Sequence, residues 1–236
     1  ISKCLSVMPN TLLLSEVDPF STLPVRTSNF APTDLIRQIA TSGRSYSPEL
    51  TGNVFLAGFD AARAYCLKRG TRIVLRDHSH SQFCVGEAVR DAPSLASLLD
   101  GHYRLRSVIT VRHPLDSYLS LLNNRWLHFT PKTLEEYAKR YFAFLDAYPG
   151  VPIYRYEAFV RDPLIITRRL CDELDLAFNA EAIANFSAVS LSGDSGRKSS
   201  DIAPRQRRPI PDEVRDSLAI APTFRLLCDR LGYEQP

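Results

Sequence analysis

The chain has 236 residues, of which 44% are hydrophobic and 23% charged. That balance excludes an intrinsically disordered chain and suits one α/β domain, alone or with a helical extension. A formal net charge of +3 is too small to mark a general nucleic-acid binder, and no run of eighteen apolar residues is present to span a membrane.

The opening stretch ISKCLSVMP reads as the interior of a helix, so the expectation is one domain over 1–236, truncated at its amino end. TLLLSE (11–16) is the first β-rich run and ends on Glu16. Residues 20–50 have mixed polarity, are punctuated by prolines, and read as a lid on the rim of a site. RIVLRD (72–77), SVITVR (107–112) and VPIYRYE (151–157) are three further strands. Between them lie segments with helical spacing. PLDSYLSLLNNRW repeats its apolar residues every three or four positions after Pro114, as does TLEEYAKRYFAFLDAY, and DPLIITRRLCDELDL opens on a capping aspartate and a proline. From about Ser187 the periodicity stops, and a long Ser/Gly/Pro/Arg-rich loop leads to a terminal helical pair near 211–231. Strands alternating with helices predict a parallel sheet of four to five strands, covered by helices on both faces and followed by a helical C-terminal part. Ligands of such sheets gather beyond the carboxyl ends of the strands. Glu16, Asp77-His78 and Arg112 stand at those ends. The five cysteines, Cys4, Cys66, Cys84, Cys171 and Cys228, are scattered, odd in number and mostly set among apolar residues; they read as reduced core residues of a cytoplasmic protein.

Arg112 poses the sharpest question, because a guanidinium at the exit of a buried strand needs an anion. The His-Pro turn after it starts a helix, whose first N–H groups favour negative charge. Ser117, Ser120 and Asn124 share one polar stripe of that helix. Together these features describe a phosphate site; the competing reading pairs Arg112 with a nearby carboxylate and leaves the serines in solvent. SGDSGRKSS carries Arg197 and Lys198 after two glycines, with Arg205, Arg207 and Arg208 beyond, and is either a second anion contact or a solvated basic loop. VLRDHSHSQF sets Arg76, Asp77, His78 and His80 where a strand leaves the sheet. A histidine there can serve as a general base. His78, His80 and Cys84 also offer three loosely spaced metal donors, and Asp77 could hold Mg²⁺ in a phosphotransferase. Tyr154, Tyr156 and Glu157 close the last strand, where a tyrosine ring can pack on a base such as adenine or belong to the core.

Taken in order, these motifs resemble the sulfotransferase family that uses 3′-phosphoadenylyl sulfate (PAPS). VRHPLDSYLS is similar to that family's 3′-phosphate motif, an arginine ending a strand with a serine eight residues later, here Arg112 and Ser120. YRYEAFVRDP, with Tyr156, resembles the segment that follows, and GDSGRKSS resembles the late loop that closes on the same nucleotide through Arg197 and Lys198. LRDHSH falls where many members carry a basic residue and a catalytic histidine, here Arg76 and His78. The resemblance implies a P-loop type nucleotide-binding fold. It also implies transfer of a sulfuryl group from PAPS to a hydroxyl or amine of a small-molecule or carbohydrate acceptor, with PAP released and no metal required. His78 is the implied base and Glu16 the second candidate, since carbohydrate-directed relatives often use a glutamate. The family's 5′-phosphosulfate loop has no counterpart here, and its strand would be central in the sheet. Two rivals remain: a kinase using a nucleoside triphosphate and Mg²⁺, for which no Gly-Lys-Ser/Thr element occurs in the chain, and a non-catalytic nucleotide-binding module.

Overall fold

Each of the four apolar runs becomes a strand, and each strand pairs in parallel with a partner distant in sequence. The computed structural model describes residues 1–23, 33–40, 47–192, 201–204 and 206–236. In chain order the first elements are α1 (Ser2–Ser6), β1 (Thr11–Val17), α2 (Leu35–Ala40), α3 (Pro48–Leu67) and β2 (Arg72–Asp77). Then come α4 (Ser79–Phe83), β3 (Val85–Gly86), α5 (Leu95–Leu99), β4 (Ile109–Val111), α6 (Pro114–Asn123) and β5 (His128–Phe129). The chain continues with α7 (Leu134–Asp146), β6 (Ile153–Arg155), α8 (Tyr156–Arg161) and α9 (Pro163–Leu174), and after a 3₁₀ turn over Glu181–Ala188 it closes with α10 (Asp212–Ala219) and α11 (Pro222–Leu231).

The molecule is mixed α/β, and its parallel sheet is built in pieces. β1 pairs with β2, β4 with β6, and β3 with β5, giving three two-stranded ladders instead of the expected single sheet of four to five strands. The physical reason lies between β2 and β4. Among the described residues no backbone hydrogen bond joins them. A cavity of about 610 Å³ separates them, lined by all of β2 and by Val108, Ile109 and Thr110.

Local sequence explains where the helices start. Thr133 accepts the N–H of Glu136 at the head of α7, Asp162 accepts that of Ile165 at the head of α9, and Ser47 accepts that of Leu50 before Pro48 opens α3. Two apolar clusters hold the layers together. One joins Ile109 and Val111 to Leu115, Leu119, Leu134 and Leu227 of α6, α7 and α11. The other joins α1, α8 and α9 through Cys4, Leu5, Phe159 and Leu170, with Val108 and Tyr154 packed against it. Ile109 and Val111 of β4 thus face the first cluster, Val108 just before the strand packs against the second, and Thr110 between them is exposed. The strand expected over 151–157 is shorter than predicted: Tyr156 and Glu157 belong to the first turn of α8, where Glu157 finds partners in His113, just before α6, and Tyr233 of the C-terminal tail. All five cysteines are free and buried. No described helix is long and apolar enough to cross a membrane.

Candidate functional site

The end of β1 is irregular in a way that aims a carboxylate. Leu14 faces Leu75 and Val17 faces Asp77, so β1 uses one more residue than β2 over this interval. Such a bulge redirects the side chain it carries. The redirected residue is Glu16, held at φ 58°, a left-handed conformation that a non-glycine residue adopts only under constraint. Its Oε1 lies 2.9 Å from Nη2 of Arg76 and 3.9 Å from Nε2 of His78. The three residues form one half-buried acid–base cluster at the strand exits. Glu16 and His78, the two candidate bases, are therefore neighbours.

Asp77 turns the other way. It accepts a hydrogen bond from the Tyr148 hydroxyl, and burial raises its carboxyl above the ordinary value despite that bond. Among the described residues no group of three or more His, Cys, Asp or Glu side chains is arranged to hold a metal ion. Cys84, one of the donors considered for such a site, is instead a core thiol pushed up to about 12 by burial.

Arg112 answers its own question in part. Among the described residues no carboxylate comes within ion-pairing distance of it, so the reading in which a neighbouring acid neutralises it finds no partner there. It lines a cavity of about 340 Å³ together with Ser117 and Ser120 of α6, and Ser79 and His80 of α4. Ser120 is held from behind by Asn124, whose Nδ2 donates to its carbonyl at 2.8 Å and sits 3.4 Å from its hydroxyl. Tyr156 lies outside this pocket's wall but supports it: the Arg112 guanidinium stands 5.7 Å from the centre of its ring. The helix start is less open than the sequence implied. The N–H of His113 donates to Glu157 and that of Leu115 to Nδ1 of His113, so two of the first donors of α6 are already occupied.

The acid–base cluster and the arginine pocket adjoin. The rings of His78 and His80 are 6.4 Å apart, and His80 lines the pocket. Ser79, Thr110 and Phe144 line both this pocket and the larger cavity between β2 and β4. Arg197, Lys198 and Arg205 lie outside the described residues, but the chain on either side of that loop is fixed at the site. The Ser192 carbonyl accepts from Ser15 Oγ and from Arg76 Nη2, each at 3.2 Å. On the far side Arg207 pairs with Asp116 in the first turn of α6 at 2.8 Å. Sequence reasoning passed over His128, whose Nδ1 is 3.1 Å from Nε2 of His80; a single histidine after Trp126-Leu127 carries no local signal for that contact.

Comparisons of the chain with protein-family models, with curated proteins and with solved structures find no match.

Proposed function

We propose that the protein is a sulfotransferase that moves a sulfuryl group from PAPS to a hydroxyl or amine of a small-molecule or carbohydrate acceptor and releases PAP. The observation that carries this reading is Arg112, a guanidinium with no carboxylate partner among the described residues, sharing one pocket with Ser117 and Ser120. A guanidinium flanked by hydroxyl donors suits a phosphate monoester. In this reading Arg112 and Ser120 grip the 3′-phosphate, Tyr156 braces Arg112, and Arg197 and Lys198 close from the late loop. His78 then takes the acceptor proton as attack begins, with Glu16 3.9 Å behind its Nε2 to stabilise the imidazolium. The acceptor oxygen or nitrogen bonds to sulfur while the sulfur–oxygen bond to phosphate breaks, leaving that electron pair on PAP.

The finer fold belongs to the same proposal. The cavity of about 610 Å³ between β2 and β4 lies where one more parallel strand would stand. With it, β1-β2 and β6-β4 become halves of a five-stranded P-loop type sheet. The family pattern gives that central position to the strand entering the 5′-phosphosulfate loop.

The test is a thermal-melt comparison followed by an assay. PAP should raise the melting temperature, adenosine 5′-phosphate should not, and Arg112→Ala should weaken PAP binding by about 10- to 100-fold, the equivalent of ~1.5–3 kcal/mol for a charged hydrogen bond. Sulfuryl transfer from PAPS should persist in EDTA. Equal stabilisation by both nucleotides would remove the 3′-phosphate assignment.

A further inference from the structure

The arginine pocket contains an imidazole that sulfuryl transfer does not employ. His80 lines it, and His128 approaches it from solvent with the two rings edge to face at 5.3 Å. The His80–His128 hydrogen bond engages Nε2 of His80, and among the described residues no hydrogen bond engages its Nδ1. The charge count makes this nitrogen important. A phosphate monoester carries nearly two negative charges above its second ionisation. Arg112 offers one positive charge. Arg140, the other guanidinium on the wall, is occupied by Glu136 and by the carbonyls of Phe83, Val85, Gly86 and Glu87. A dianion beside Arg112 would thus keep one charge uncompensated by the described residues, which is costly away from water.

Of the groups that line the pocket beside Arg112, His80 is the imidazole, and its neighbours His78 and His128 stand outside the wall. Cys84, Tyr137 and Tyr141 are all raised by burial and stay neutral. Glu136 is paired with Arg140, and the Glu16 carboxylate faces Arg76 and His78. Lys132 acts on His128. Burial, and then His128 and His78, hold His80 down to about 4, so at neutral pH it is neutral and has a proton to gain.

We propose that His80 is a cation of this pocket beside Arg112, in addition to the late-loop Arg197 and Lys198 of the proposed function, taking up a proton when a phosphate dianion binds, with His128 as the route from solvent. This rests on the phosphate-pocket reading. The proton balance closes: a solvent proton joins Nε2 of His128, the Nδ1 proton of His128 passes to Nε2 of His80, and Nδ1–H of the resulting imidazolium donates to a phosphate oxygen. His128 ends neutral, in its other tautomer. If ligand binding returns His80 from about 4 to its ordinary 6.5, His80 strengthens binding roughly tenfold more at pH 5.5 than at pH 7.5.

The experiment is an NMR pH titration of the His80 imidazole, assigned through its own backbone, in the free chain, with PAP and with inorganic phosphate. Its midpoint should rise by two units or more in the presence of either anion, and His80→Gln should lose the extra affinity for PAP at low pH while retaining Arg112-dependent binding. PAP bound at saturation with the His80 midpoint unmoved overturns the proposal and spares the nucleotide assignment. A midpoint raised by inorganic phosphate in a chain that does not bind PAP upholds the proposal and overturns that assignment. If neither anion binds or moves the midpoint, both fall.

Discussion

At the scale of single residues, the division of labour at the strand exits can be separated by two variants. His78→Ala should lower turnover by about 10²–10⁴-fold, the usual contribution of a positioned base, and leave the affinity for PAP nearly unchanged. Glu16→Gln should lower turnover less, because it removes only the group 3.9 Å behind His78. Steady-state rates together with PAP titrations distinguish the cases: loss of PAP binding in His78→Ala, or a larger loss of turnover in Glu16→Gln, reverses the assignment. Arg112 and the Ser117–Ser120 stripe were legible in the sequence because strand, turn and helix are contiguous there; the choice of Ser120 over Ser117 came from the family resemblance and not from spacing. The Glu16–Arg76–His78 contact was not legible. It depends on the register of β1 against β2 and on a bulge that adds one residue to β1, neither of which a linear pattern records.

Among the elements, α4, β3 and the chain beyond it are held by one side chain of α7. Arg140 is 1% exposed, and its guanidinium binds Glu136 and four backbone carbonyls. Removing one member of a buried ion pair leaves the other uncompensated, typically at a cost of 3–5 kcal/mol. Arg140→Met, which keeps much of the packing volume, should therefore destabilise the fold by about that amount in a urea titration. A loss below ~1 kcal/mol would show that water replaces the guanidinium at little cost. The heptad-like spacing of α6 and α7 and the Asp162-Pro163 start of α9 made these helices readable. The long α3 was hidden: glycines at 52 and 58 and a largely exposed surface blur the apolar stripe, and Phe55 and Phe59 stack on each other at 6.0 Å. The short β3 and β5 have two residues each, too few to alternate visibly.

For the whole molecule, alternation of strands and helices was enough to predict a mixed α/β chain with parallel pairing, though in two-stranded ladders and not one sheet. The order of the strands was beyond it, since pairing between β1 and β2, or β4 and β6, is decided by contacts across long stretches of chain. The apolar cluster built on Ile109 and Val111 has a mechanical consequence for the C-terminal part. Phe224, Leu227 and Leu231 of α11 are buried in the same cluster as Leu115 and Leu134, and Arg207 is clamped to Asp116. The last two helices should thus be retained by packing when the chain is cut between 193 and 205. An engineered protease site between Lys198 and Ser199 should give two fragments that migrate together on a native gel and come apart only in denaturant. Cutting there would also sever the Gly-Arg-Lys loop, so the nicked complex should remain assembled while its hold on PAP weakens. Assembly and nucleotide grip would then behave as separable properties of one polypeptide.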